Sequence, residues 1–68
     1  MARLCTRVKQ LRAALGVSQR ALASKAGISL STLVRYERNQ VTSFDAEVLD
    51  KLGRALNVEP SFLIVRCP

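Results

Sequence analysis

Few side chains in this 68-residue sequence are suited to making or breaking a covalent bond. Histidine is absent, the two cysteines sit near the ends as Cys5 and Cys67, and no glycine-rich phosphate loop occurs. The carboxylates Asp45, Glu47, Asp50 and Glu59 fall in the second half, where they read as helix caps and surface charges rather than partners of a nucleophile. The chain is therefore not expected to be an enzyme or to hold a cofactor, and a metal would need more ligands than these thiols supply. What remains is cationic and hydrogen-bonding chemistry. From Met1 to Arg38 eight Lys or Arg stand against the single acid Glu37, whereas from Asn39 to Pro68 three bases face four acids. With a net charge of +6, such a basic half suits a polyanion. Taken alone it equally suits a merely soluble basic surface.

Within the basic half, Leu30, Ser31, Val34 and Arg35 share the outward face of a short predicted helix. A helix laid in the major groove of DNA presents its N-terminal and outward residues to base edges. Arg35 can make a bidentate contact to guanine O6 and N7, Ser31 can donate or accept, and Leu30 or Val34 can meet a thymine methyl. The competing reading of Arg35 is a solvated charge or a phosphate ligand.

The elements that must position this face are legible from their punctuation. Gln19 to Arg38 reads as two helices and a tight turn: Ser18 caps Gln19 to Ala26, Gly27 ends it, and Ser29 caps Leu30 to Arg38. Leu22, Ala23 and Ala26 on the first helix and Leu33 and Tyr36 on the second point to a shared core, with Ala23 small where the helices cross. Upstream, Thr6 is expected to cap a helix from Arg7 to Leu15 whose inward stripe is Val8, Leu11 and Leu15, ended by Gly16. Downstream, Asn39 to Phe44 is a loop, and Asp45 caps Ala46 to Leu56, with Val48, Leu49, Leu52 and Leu56 inward. Pro60 to Leu63 reads as one further turn that buries Phe62. Met1 to Cys5 and Leu63 to Cys67 are extended enough to pair as a small terminal ribbon.

The span RALASKAGISLSTLVRYERN resembles the phage-repressor-like (Cro/repressor, XRE) helix-turn-helix family, and ERNQVTSFDAEVLDKLGRALNVEP is similar to a small bacterial subgroup of it. The resemblance runs from about Arg7 to Val65 and fixes small, apolar and glycine positions together over some fifty residues. It implies an all-α, repressor-like domain of four to five helices over residues 1–68, with its helix-turn-helix at about 19–38. It also implies that Leu30, Ser31, Val34 and Arg35 read sequence, that Gln19 contacts phosphate, and that Arg12 pairs with Glu37. Ser29, Thr32, Arg38, Asn39 and Thr42 are expected along the phosphate backbone. Many members carry Gly where this chain has Asn39 and Pro shortly after, so the loop departs from the common pattern. Asn tolerates the left-handed conformation better than other non-glycine residues.

The expected function is then a duplex-DNA-binding transcriptional regulator, a repressor, working as a homodimer because one recognition helix covers only a few base pairs. The dimer contact is expected at the terminal ribbon and Phe62, with Asp45 to Leu56 as the other choice. Competing with this is an antitoxin-type or adaptor protein whose main role is binding a protein partner. No apolar run approaches the ~20 residues needed to span a bilayer and no signal-peptide pattern opens the chain, so a cytoplasmic protein is expected. In that compartment Cys5 and Cys67 are expected as free packed thiols, although a disulfide is geometrically possible if the termini pair.

Overall fold

A computed structural model describes residues 4–41 and 43–67. The chain runs β1 (Leu4–Thr6), α1 (Val8–Leu15), α2 (Gln19–Ala26), α3 (Leu30–Glu37), α4 (Ala46–Leu56), a 3-10 turn (Pro60–Leu63) and β2 (Ile64–Arg66). A chain this short buries only ~60% of the surface exposed by its unfolded form, so its core is built from single stripes on each helix. Val8 of α1, Leu22, Ala23 and Ala26 of α2, Leu33 and Tyr36 of α3, and Leu49, Leu52, Ala55 and Leu56 of α4 form that core with Leu63. The two strands are antiparallel, with Leu4 opposite Arg66, Cys5 opposite Val65 and Thr6 opposite Ile64.

Local chemistry explains most of the helix boundaries. Asp45 Oδ1 accepts from the N–H groups of Glu47 (2.8 Å) and Val48 (3.4 Å), satisfying donors that α4 would otherwise leave open. At the other end of α4, Asn57 takes the left-handed conformation (φ 61°) and turns the chain toward Pro60. The start of α1 differs from expectation. Val8 is its first residue, Arg7 is the N-cap without a side-chain bond, and Thr6 belongs to β1. Pairing opposite Ile64 holds Thr6 extended, and its hydroxyl is spent on the Tyr36 carbonyl instead.

Two expected core residues lie outside. Leu15 is 57% exposed, because α1 ends there at left-handed Gly16 and the side chain sits at the rim with Val17, Ala21 and Lys25. Phe62 is 44% exposed while its neighbour Leu63 is fully buried. Of two adjacent residues on a single 3-10 turn only one can point inward, and here the smaller does. The Arg7 guanidinium covers the Phe62 ring at 4.2 Å from its centroid.

The cysteines correct a further expectation: Cys5 and Cys67 form a disulfide, with Cα atoms 5.2 Å apart. Cys67 lies two residues beyond Val65, the partner of Cys5, so alternation places both sulfurs on one face of the ribbon as a diagonal pair.

Packing of the 3-10 turn on α4 rests on Gly53. A Cβ added there would lie 2.8 Å from the Val58 carbonyl oxygen and 3.3 Å from the Pro60 nitrogen, both backbone atoms. In an open helix Gly→Ala stabilises. Here Gly53→Ala should destabilise by about 1–3 kcal/mol, the cost of overpacking. A urea denaturation midpoint that stayed level or rose would show instead that the 57–60 segment yields freely.

Candidate nucleic-acid interface

Residues 18–41 hold the described part of the candidate site. Ser18 Oγ accepts from the Ala21 N–H at 3.1 Å, starting α2. The helix stops at Gly27, where φ is +73° and nothing lies within 4 Å of an added Cβ, so it is the backbone angle, not space, that asks for glycine. The Gly27 and Ile28 N–H groups both return to the Ala23 carbonyl, at 2.9 and 3.0 Å, and leave only a short turn before Ser29. Ser29 Oγ accepts from the Thr32 N–H (3.1 Å) and its hydroxyl donates to Thr32 Oγ1 (2.8 Å). The Ser29 proton is therefore committed, while the Thr32 hydroxyl keeps a donor for a phosphate.

The inward face of α3 consists of Leu33, Tyr36 and Glu37, all buried. Its outward face carries exposed Ser31 and Arg35 flanked by half-buried Leu30 and Val34, so the helix gathers the four expected base-reading residues on one side. Among the described residues, none of these four side chains makes a hydrogen bond or ion pair within the protein. Arg38, also exposed, follows at the C-cap. Arg20 and Lys25 of α2 are exposed as well. Thr42, expected on the phosphate path, lies outside the described residues.

Behind α3 an ion pair sets its tilt. Arg12 Nε donates to Glu37 Oε2 at 2.6 Å and Arg12 Nη2 to Oε1 at 3.2 Å, while Arg12 Nη1 donates to the Val17 carbonyl at 2.9 Å. The Glu37 side chain is 3% exposed and that of Arg12 17%, so the bidentate pair expected from the resemblance sits where water screens it little. Gln19 Nε2 also donates to Glu37 Oε1, at 3.0 Å. One carboxylate thus ties α1, the start of α2 and the end of α3. Sequence reasoning gave Gln19 a phosphate role only. Its amide has a second N–H that remains for that purpose.

The chain leaves α3 through Asn39, whose φ of 58° is the left-handed angle anticipated for it, with its N–H on the Tyr36 carbonyl (3.3 Å) and the Gln40 N–H on that of Arg35 (3.0 Å). Asn39 Oδ1 accepts from the Thr6 N–H at 2.8 Å, and the Thr6 hydroxyl donates to the Tyr36 carbonyl at 2.8 Å. No local signal predicts these bonds, because their partners lie 33 and 30 residues apart. Tyr36 also anchors the far side of the loop: its hydroxyl accepts from the Asp45 N–H at 3.0 Å, and its ring lies 6.0 Å from that of Phe44.

With this geometry in hand, the comparisons are specific. The helix-turn-helix family profile matches residues 8–63. The N-terminal DNA-binding domain of SinR from Bacillus subtilis is 38% identical and superposes with a TM-score of 0.76, over 81% of this chain and 80% of that one. SinR solved in complex with DNA gives 38% identity and a TM-score of 0.75, over 81% and 87%. The P22 c2 repressor protein bound to a synthetic operator is 28% identical with a TM-score of 0.74, over 82% and 83%. No curated protein matches the sequence. Two helices joined at Gly27, a recognition helix locked from behind by Glu37, and agreement over almost the whole chain lead to one conclusion: this protein belongs to the phage-repressor-like, XRE-type helix-turn-helix family.

Proposed function

We propose that the chain is a sequence-specific, duplex-DNA-binding transcriptional regulator, a repressor, that lays α3 in the major groove. One observation carries this reading: the outward face of α3 displays Ser31 and Arg35 between half-buried Leu30 and Val34, with none of the four side chains bonded among the described residues, on the half of the chain that holds eight of its eleven Lys and Arg residues. The DNA complexes of SinR and the P22 c2 repressor support it. Leu30, Ser31, Val34 and Arg35 read bases. Gln19, Ser29, Thr32, Arg38, Asn39 and Thr42 follow phosphates, through first-turn amides where a hydroxyl is already committed. Among the described residues no helix is long and apolar enough to cross a membrane, and the working compartment is the cytoplasm, where the DNA is.

Selection from a random duplex library should yield a preferred site. Affinity for it should fall steeply with salt; four phosphates neutralised by Lys or Arg of the basic half give a log–log slope of about −3.6. On that site Arg35→Ala should cost about 1–3 kcal/mol and relax preference at one base pair. A slope near zero would sink DNA binding, and an Arg35→Ala loss equal on all sequences would remove Arg35 from base reading.

Two copies on a palindrome complete the reading. Asn39 caps the outer edge of β1 at Thr6, which favours the edge of β2, beside exposed Phe62, as the contact for another chain. Phe62→Ser leaves the buried Leu63 untouched and should shift the protein to monomer in sedimentation equilibrium. A dimer of unchanged strength would move the contact to the 45–56 helix.

A further inference from the structure

We propose that the Cys5–Cys67 disulfide regulates DNA affinity, with the oxidised chain as the tight-binding form and dithiol reduction as the release signal; this rests on the DNA-binding reading above. The path is short. Cys5 neighbours Thr6, and Thr6 holds the end of the recognition helix twice, through its hydroxyl on the Tyr36 carbonyl and its N–H on Asn39 Oδ1. Tyr36 lies in the last turn of α3, and left-handed Asn39 steers the chain out of the helix beside Arg38. The ribbon that delivers Thr6 has three residues per strand, and a pair that short is marginal by itself in water. Across a sequence separation of 62 residues, the disulfide is what closes its open end.

Both cysteines are half-buried rather than sealed, so a reductant can reach the sulfurs. The exchange is balanced: a dithiol gives two electrons and two protons, its own thiols joining as a disulfide while the Cys5–Cys67 bond becomes two thiols. In a reducing compartment such bonds are mostly transient or redox-sensing, which reconciles this one with a DNA-bound protein. On reduction the ribbon frays, Thr6 leaves Tyr36 and Asn39, and the phosphate-facing stretch that follows α3 loses its fixed geometry.

The test is fluorescence anisotropy on the selected duplex at fixed salt. Oxidised protein should bind about fivefold or more tightly than protein in excess dithiothreitol, a coupling of ordinary size. Cys5→Ser/Cys67→Ser should match the reduced form and ignore dithiothreitol. Thr6→Val with the disulfide intact should bind weakly and respond little to reduction. That variant keeps the idea testable even if the reduced chain unfolds, because it removes the hydroxyl bond to the Tyr36 carbonyl while leaving the backbone bond to Asn39 and the covalent link. Equal affinity of oxidised and reduced protein, or full affinity of oxidised Thr6→Val, would overturn the coupling and leave DNA binding standing. No binding in any state would overturn both.

Discussion

Arg12→Ala is expected to destabilise the domain by about 3–5 kcal/mol, several times what a surface ion pair contributes. The reason is what it leaves behind. The Glu37 carboxylate, 3% exposed, would keep Gln19 as a donor but lose the guanidinium that balances its charge. Small domains hold only ~5–15 kcal/mol in total, so such a variant would be near its unfolding midpoint under mild conditions. Substituting both members, as in Arg12→Met/Glu37→Leu, should cost much less than the sum of the single changes, because apolar side chains need no counter-charge. A double-mutant cycle in urea measures the coupling, and additive losses would show that the pair is incidental to the fold.

Reduction of the disulfide is expected to lower stability by about 2–4 kcal/mol, with the upper end favoured because the loop it closes is nearly the whole chain. For a domain this small that corresponds to a fall in Tm of at least about 10 °C. Calorimetry with and without dithiothreitol reads it directly, and Cys67→Ser should reproduce the reduced curve. A midpoint indifferent to reductant would mean that the thiols are not joined in solution.

These two effects differ in how visible they are in the amino-acid sequence. Ser18, Ser29 and Asp45 each announce a helix start because capping acts within three residues, and Gly16 and Gly27 announce ends because a positive φ is a property of one position. The outward face of α3 follows from helical periodicity alone, and the ribbon from two apolar, extended ends. Side-chain hydrogen-bond partners distant along the chain were legible only where the family resemblance supplied them, as with Arg12 and Glu37. The bonds from Thr6 to Tyr36 and Asn39 were hidden, because choosing the Thr6 hydroxyl as a helix cap is locally reasonable and only the pairing with Ile64 rules it out. The orientation of Phe62 was hidden for a related reason. The backbone of Val58 and Pro60 packs closely on Gly53, and the 3-10 turn that follows buries Leu63 rather than Phe62. The free thiols expected of a reducing compartment gave way to a register that brings both sulfurs to one face.

The division of labour on α3 has a consequence for how this protein can change. Tyr36 and Glu37 on the buried side carry bonds to β1, α1, α2 and the loop before α4, whereas the side chains of Leu30, Ser31, Val34 and Arg35 make no hydrogen bond or ion pair among the described residues. If these four read bases as proposed, mutations on the outward side alter what is recognised at little cost to folding, and a lineage can drift from one operator to another without passing through unfolded intermediates. On the same reading the helix is a replaceable cassette for engineering: new side chains can be grafted at 30, 31, 34 and 35 while the scaffold is left as it stands.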